Sequence, residues 1–168
     1  MAENYARGSI YKSTYGMLFF GTPHRGSPKD DVLKMVEQTF PNRVPALLET
    51  DPNNQDLKTQ LDYFAKIIGD RQIGSFYETE PTPTPVQGKD GKWTRAGEAV
   101  LKVTEPSATL QFPGFRERKI PVNANHTNMV KFGSSTDPTY TTVVKMLREF
   151  TRDAPKVVSK RFGMHCNS

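Results

Sequence analysis

Hydrophobic residues along the chain form short continuous runs that alternate with stretches of helical spacing. The first run, residues 17–20, has a glycine at each end, and such a run is typical of a strand buried on both faces of a parallel sheet. Apolar residues then recur at helical spacing over 30–40 and again over 55–68, on one face of each predicted helix. An alternating segment at 71–77 predicts a second strand.

The second half of the chain continues this alternation. A third strand is predicted at 99–103, and residues 106–119 are expected to form an irregular loop that leads into Ile120–Val122. The last helix is predicted to begin with Asp137 as its cap and Pro138 at its first position. Three apolar residues are expected to form its buried stripe, namely Val143, Leu147 and Phe150. Short strands alternating with helices indicate a parallel sheet, and the predicted fold class is therefore α/β.

Two segments carry neither pattern. Residues 79–96 include three prolines within 81–85, which remove backbone donors that a sheet needs. This segment is expected to be a long exposed loop, and such loops are lids, binding segments or disordered. Residues 154–168 are expected to be a disordered tail, so the predicted domain comprises residues 1–153.

Length, charge and cysteine content narrow the class of protein. A chain of 168 residues is long enough for one domain with one core. The net charge of +5 comes mainly from scattered basic residues, which indicates a solvated surface, and no nucleic-acid-binding motif is present. Cys166 is the only cysteine, so an intracellular, cytoplasmic setting is expected. The polar N-terminus and the lack of a long apolar run predict neither a signal peptide nor a transmembrane segment.

Polar residues follow the first predicted strand in the loop Gly-Thr-Pro-His-Arg-Gly at 21–26. This places Thr22, His24 and Arg25 at the carboxyl end of a strand, where open α/β sheets bind their ligands. His24 is expected to shape the loop through hydrogen bonds more than to act chemically. Three histidines without a Cys/His cluster give no support for a metal site, and no cofactor is predicted.

Three stretches carry a family resemblance. They read Phe-Phe-Gly-Thr-Pro-His-Arg-Gly-Ser at 19–27, Ser-Phe-Tyr-Glu-Thr at 75–79 and Ile-Pro-Val-Asn-Ala-Asn-His at 120–126. Together they resemble lipase-like α/β-hydrolases, in particular the serine-active-site-containing esterases found at the N-terminus of fungal NACHT, ankyrin- and TPR-repeat proteins. The resemblance extends from residue 16 to about residue 132. It implies a partial α/β-hydrolase fold, the C-terminal half of a mainly parallel sheet flanked by helices.

The resemblance also implies two members of a catalytic triad. In α/β-hydrolases the nucleophilic serine comes first in the chain, then the acid, then the histidine. Glu78 ends the second predicted strand and matches the acid, while His126 lies in a loop after the next strand and matches the base. Glu105 follows the third predicted strand and is the competing acid. The acid would orient the imidazole, which would take the proton of the serine.

The chain departs from the family at the nucleophile, because no Gly-x-Ser-x-Gly occurs in it. The resemblance implies that the serine and the oxyanion-hole donors belong upstream of Met1. Three interpretations stay open: a truncated hydrolase-like domain without activity of its own, the C-terminal part of an active carboxylic-ester or lipid-ester hydrolase, and a non-catalytic interaction module. The apolar strand at 17–20 would lack a neighbour, which predicts a protein partner or self-association through an exposed sheet edge.

Overall fold

A computed structural model describes residues 2–26 and 55–163 of the chain. The principal elements are α1 Ala2–Ser13, β1 Gly16–Phe20, α2 Gln55–Ile67, β2 Gln72–Glu78, β7 Glu117–Val122 and α4 Pro138–Arg161. Shorter elements between β2 and β7 are β3 Thr82–Pro83, β4 Val86–Gln87, β5 Trp93–Thr94, β6 Ala99–Val100 and the single-turn helix α3 Glu105–Ala108. The helix predicted at 30–40 lies outside the described residues.

The three longest strands form one parallel sheet in the order β1-β2-β7. Phe20 of β1 is in register with Phe76 of β2, and Glu78 of β2 with Val122 of β7. Parallel strands joined through helices confirm the α/β class predicted from the alternating pattern. All three strands therefore end at the same edge of the sheet.

Helices cover both faces of this sheet. The α4 side has a buried core of Phe76, Val122, Met129 and Met146. On the α2 side the core consists of Ile68, Ile73 and Leu110, with Leu61 and Phe64 of α2 packed against it. Because β2 lies in the middle, its residues are the most deeply buried of the sheet.

Helix α4 begins as the sequence predicts but presents a different face to the sheet. The Asp137 carboxylate accepts hydrogen bonds from the backbone N–H groups of Thr139 and Tyr140 and caps the helix. The prediction that Leu147 is buried is wrong, since 48% of it is exposed and Met146 is buried instead. One residue along a helix is a turn of about 100°, so the inward stripe runs through 143, 146 and 150.

The predicted tail is also corrected, because α4 continues through residues 154–161. Arg161 fixes this last part of the helix to the opposite end of the chain. Its guanidinium donates to the carbonyl oxygens of Lys12 and Thr14, at 3.0 and 2.6 Å, and to Asp70 Oδ1 at 2.7 Å. These contacts hold the last turns of α4 in place beyond Pro155. Residues 164–168 lie outside the described part.

The third predicted strand, at 99–103, does not join the parallel sheet. Only β6 forms there, and it pairs antiparallel with β3. Residues 79–96, predicted to be irregular, contain part of that ladder and a second one between β4 and β5. The prediction that residues 106–119 are an irregular loop is corrected at both ends, because α3 forms at Glu105–Ala108 and β7 begins at Glu117.

Strand β1 is an edge strand within the described part of the chain, where it pairs only with β2. Its five residues are all half-buried, so the prediction of a strand fully buried on both faces is wrong.

None of the helices in 2–26 and 55–163 has both the length and the apolar character required to cross a bilayer.

Candidate functional site

Glu78 is a buried carboxylate at the end of β2. Its Oε1 accepts hydrogen bonds from the backbone N–H of Lys102 and from that of Val103, the latter at 3.0 Å. The residue is 2% exposed. Backbone donors to a carboxylate are strong hydrogen bonds, so the two amides fix the direction in which the second oxygen, Oε2, points.

The second oxygen of Glu78, Oε2, points at the imidazole of His126. The His126 Nδ1 and Glu78 Oε2 atoms lie 2.9 Å apart. The distance suits a hydrogen bond, but the ring N–H is not aligned with the oxygen, a looser geometry that catalytic pairs often have before substrate binds. Nδ1 is buried while 38% of the side chain is exposed. The exposed part of the imidazole therefore lies away from the carboxylate.

Sheet topology explains why these two residues meet. Glu78 is in register with Val122 at the end of the neighbouring parallel strand, and His126 follows Val122 by four residues. Side chains at the carboxyl ends of adjacent parallel strands lie at one edge of the sheet. The sequence-based expectation that Glu78 and His126 belong to one site matches this geometry, and their catalytic roles stay predictions.

The competing acid does not take part in this contact. Glu105 is exposed in the first turn of α3. The pKa of the Tyr77 hydroxyl is raised, mainly by burial and to a smaller extent by the negative charge of Glu105. The carboxylate that the structure places against His126 is that of Glu78.

Gly21 forms the floor under the His126 ring. It follows β1 with a φ of 53°, in the left-handed region that glycine adopts without strain, and its N–H donates to the Phe76 carbonyl at 2.8 Å. A Cβ at this position would lie 2.8 Å from His126 Cε1. Gly21, the first glycine of the Gly-Thr-Pro-His-Arg-Gly loop, is thus required both by the turn and by the position of the imidazole.

His24 holds the loop after β1 against the segment before β7. Its backbone N–H donates to the Ser107 carbonyl at 2.9 Å, and its ring packs edge-on against Phe19. Burial lowers the pKa of His24, an effect that the Glu117 charge partly opposes. Its Nε2 is buried and finds no hydrogen-bond partner among the described residues. His24 therefore shapes the loop through its backbone N–H. Arg25, the next residue, is exposed.

Two concave regions flank the sheet. One, of about 410 Å³, lies between the loop and α2 and is lined by residues including Phe19, Thr22, His24 and Phe64. The other, of about 590 Å³, lies on the outer face of α4 along Tyr140, Val144 and Arg148. Neither is lined by Glu78 or His126. The larger groove is therefore separate from the contact between Glu78 and His126.

Glu117 is a second buried carboxylate, and the sequence analysis missed it. It is 2% exposed and accepts hydrogen bonds from Ser75 Oγ at 2.7 Å and from the backbone N–H groups of Leu110 and Phe112 at 2.7 and 2.9 Å. Its surroundings in the sequence, Arg-Glu-Arg-Lys at 116–119, are typical of a solvated surface. The local pattern gave no signal for burial.

Between them, the two carboxylates fix both ends of the segment 102–112. Glu78 binds the amides at 102 and 103, and Glu117 binds those at 110 and 112. In the middle, Ser107 Oγ donates to the Gly26 carbonyl. The segment thus links the loop after β1 to the end of β2 and to the start of β7.

Within residues 2–26 and 55–163, no three His, Cys, Asp or Glu side chains are grouped as a metal site would require.

Neither a protein-family model, nor a curated protein, nor a solved structure matches the chain. The hydrolase resemblance accordingly rests on the three sequence motifs and on the contact between Glu78 and His126.

Proposed function

We propose that this chain carries the acid and the base of a Ser-His-acid site in a lipase-like α/β-hydrolase domain for carboxylic esters, and that it has no esterase activity alone. The supporting observation is the 2.9 Å contact between His126 Nδ1 and the buried Glu78 carboxylate. In such a site the acid holds the imidazole through Nδ1, and the other ring nitrogen takes the proton of the nucleophile.

The inactivity follows from the missing nucleophile elbow. No Gly-x-Ser-x-Gly occurs in the sequence, and the elbow is what exposes the serine and supplies one oxyanion-hole donor. An imidazole oriented by a carboxylate accelerates acyl transfer only when a nucleophile lies within hydrogen-bond reach of it. The 168 residues therefore supply two of the three groups.

A second candidate is an active ester hydrolase whose serine comes from an upstream segment or another chain. The exposure of His126 favours it, because Nδ1 is buried against Glu78 while 38% of the side chain is open to an incoming group. On this hypothesis the nucleophile that His126 activates comes from outside the 168 residues. The substrate is a carboxylic ester such as a lipid ester.

A third candidate is an interaction module, and the edge strand favours it. The five residues of β1, among them Met17, Leu18 and Phe19, are half-buried, and in the described ranges only β2 pairs with them. An unpaired apolar edge is a template for another strand. Concentration-dependent association in sedimentation velocity would support this role, and a monomer throughout the micromolar range would refute it.

A fluorophosphonate probe, which reacts with activated serines, tests the enzymatic proposals. The chain alone is compared with a polypeptide extended upstream to include any encoded elbow. We expect labelling of the extended form only, with loss in His126→Ala and a strong decrease in Glu78→Ala. Glu105→Ala is the matched control and should label normally.

Each result separates the candidates. Labelling of the chain alone would overturn the proposed inactivity. Labelling that persists in His126→Ala would overturn the role of the histidine. If neither form is labelled, the hydrolase proposals fail for the extended protein, and the interaction module becomes the better interpretation.

A further inference from the structure

His126 is held through its backbone by the segment between β2 and β6. The His126 N–H donates to Thr82 Oγ1 at 3.1 Å, and Thr82 is 5% exposed. The next residue, Thr127, accepts a hydrogen bond through Oγ1 from Arg95 Nη1 at 2.7 Å. Two side chains of one segment thus fix two consecutive residues of the histidine loop.

This segment is itself anchored at the acid–base pair. It leaves the sheet directly after Glu78 and returns through β6 to the amides at 102 and 103 that bind the same carboxylate. The β3–β6 ladder closes its base, where the Thr84 N–H donates to the Glu98 carbonyl and the Gly97 N–H donates to the Thr84 carbonyl, both at 3.0 Å. The base is a folded support rather than an irregular loop.

On the opposite side, the position of the imidazole depends on Gly21. A Cβ there would lie 2.8 Å from His126 Cε1 and 2.9 Å from Nδ1. Side-chain carbons essentially never come this close to a neighbour, so any other residue at 21 requires the ring or its surroundings to shift. The positive φ of Gly21 adds a second reason for glycine.

We propose that Thr82 and Gly21 are positioning residues for His126, and that the segment from Thr82 to Val100 supports the histidine loop instead of acting as a lid. Thr82 sets the path of the backbone at His126, and Gly21 leaves the space into which the ring turns toward Glu78. The inference rests on the proposed function, because the orientation matters only if His126 works with Glu78.

NMR of the isotopically labelled chain tests this directly. Because Gly21 lies against His126 Cε1, the wild-type chain should show a nuclear Overhauser effect between Gly21 Hα and His126 Hε1. Thr82→Val removes the acceptor at nearly constant shape and should abolish this effect and shift the ring ¹⁵N resonances. Thr82→Ser keeps the hydroxyl and should restore both.

Thr84→Val is the matched control, since Thr84 is a buried threonine of the same segment whose hydroxyl does not contact His126. It should leave the ring signals unchanged. A second test is Gly21→Ala, which should shift the ring ¹⁵N resonances as Thr82→Val does. Unchanged ring signals in Thr82→Val, with the amide spectrum of a folded protein, would overturn the role of Thr82 even if Gly21→Ala does not fold.

Glu78→Gln distinguishes failure of this inference from failure of the proposed function. If Glu78→Gln changes the ring ¹⁵N signals but Thr82→Val and Gly21→Ala do not, the positioning roles are wrong and the acid–base pair stands. If Glu78→Gln also leaves the ring unchanged, the pair itself is wrong, and the proposed function fails with it.

Discussion

Replacing Glu117 by Gln should destabilise the fold more strongly than its place in a basic sequence suggests. The carboxylate is 2% exposed, and its two oxygens accept three hydrogen bonds from Ser75, Leu110 and Phe112. Gln keeps one acceptor oxygen, which can still serve Ser75 and Leu110. Its NH₂ group would instead face the Phe112 N–H, so two donors would meet in the interior.

The magnitude follows from these three contacts. An orphaned buried N–H costs about 1–3 kcal/mol, and hydrogen bonds to a charged acceptor contribute about 1.5–3 kcal/mol each against about 1 kcal/mol for a neutral one. One lost and two weakened contacts together are worth roughly 2–7 kcal/mol. Because Gln also relieves the desolvation cost of the buried charge, we expect the free energy of unfolding to fall by about 2–4 kcal/mol. That is a large part of the 5–15 kcal/mol typical of a domain.

Urea denaturation followed by circular dichroism measures this change. Glu105→Gln is the control, because Glu105 is exposed and surface substitutions usually change stability by less than about 0.5 kcal/mol. Ser75→Ala removes one donor and should cost about 1 kcal/mol. If Glu117→Gln behaves like Glu105→Gln, the carboxylate is solvated and the buried network is wrong.

Three further predictions concern packing, the end of α4 and pH. In Gly74→Ala the new Cβ would lie 2.5 Å from Met146 Cε, so urea denaturation should show a free energy of unfolding lower by about 1–3 kcal/mol. Gly114→Ala is the control, because nothing lies near its new Cβ, and it should show almost no loss. Equal losses in the two variants would contradict the packing. Arg161→Gln removes three hydrogen bonds to the residues around α1 and β2, so amides in the last turn of α4 should exchange hydrogen faster; unchanged exchange would show that the clamp is unimportant. Burial lowers the pKa of His24 below 6.5, so the unfolded chain binds more protons just below pH 6.5 and stability should fall as the pH drops through that window. His24→Gln should flatten this part of the urea stability profile, and an equal slope in both proteins would refute the assignment.

The sequence was sufficient for the features that repeat along the chain. Alternating apolar runs predicted β1, β2 and α2 and hence a parallel α/β sheet, and Asp137 with Pro138 predicted the start of α4. The family resemblance predicted that Glu78 and His126 belong together, and they meet in the structure because Glu78 ends β2 and His126 follows β7, adjacent parallel strands whose carboxyl ends share an edge.

The remaining features depend on tertiary contacts that no local pattern records. Burial of Met146 instead of Leu147 depends on how α4 is rotated against β2. The segment at 99–103 has a strand-like composition, but the amides at 102 and 103 bind Glu78 instead of a neighbouring strand. Glu117 is buried because three donors from separate segments converge on it, although its sequence neighbours are basic.

The most direct test of the account is whether Glu78 and His126 act as a unit. A double-mutant cycle with Glu78→Gln and His126→Gln, measured by urea denaturation, gives their coupling free energy. Groups in contact couple by about 0.5–3 kcal/mol, and partial exposure of the imidazole favours the lower end of that range. We expect a coupling of at least about 0.5 kcal/mol for this pair and none in the parallel cycle of His126 with Glu105. Additive effects for Glu78 and His126 would contradict the proposed acid–base pair.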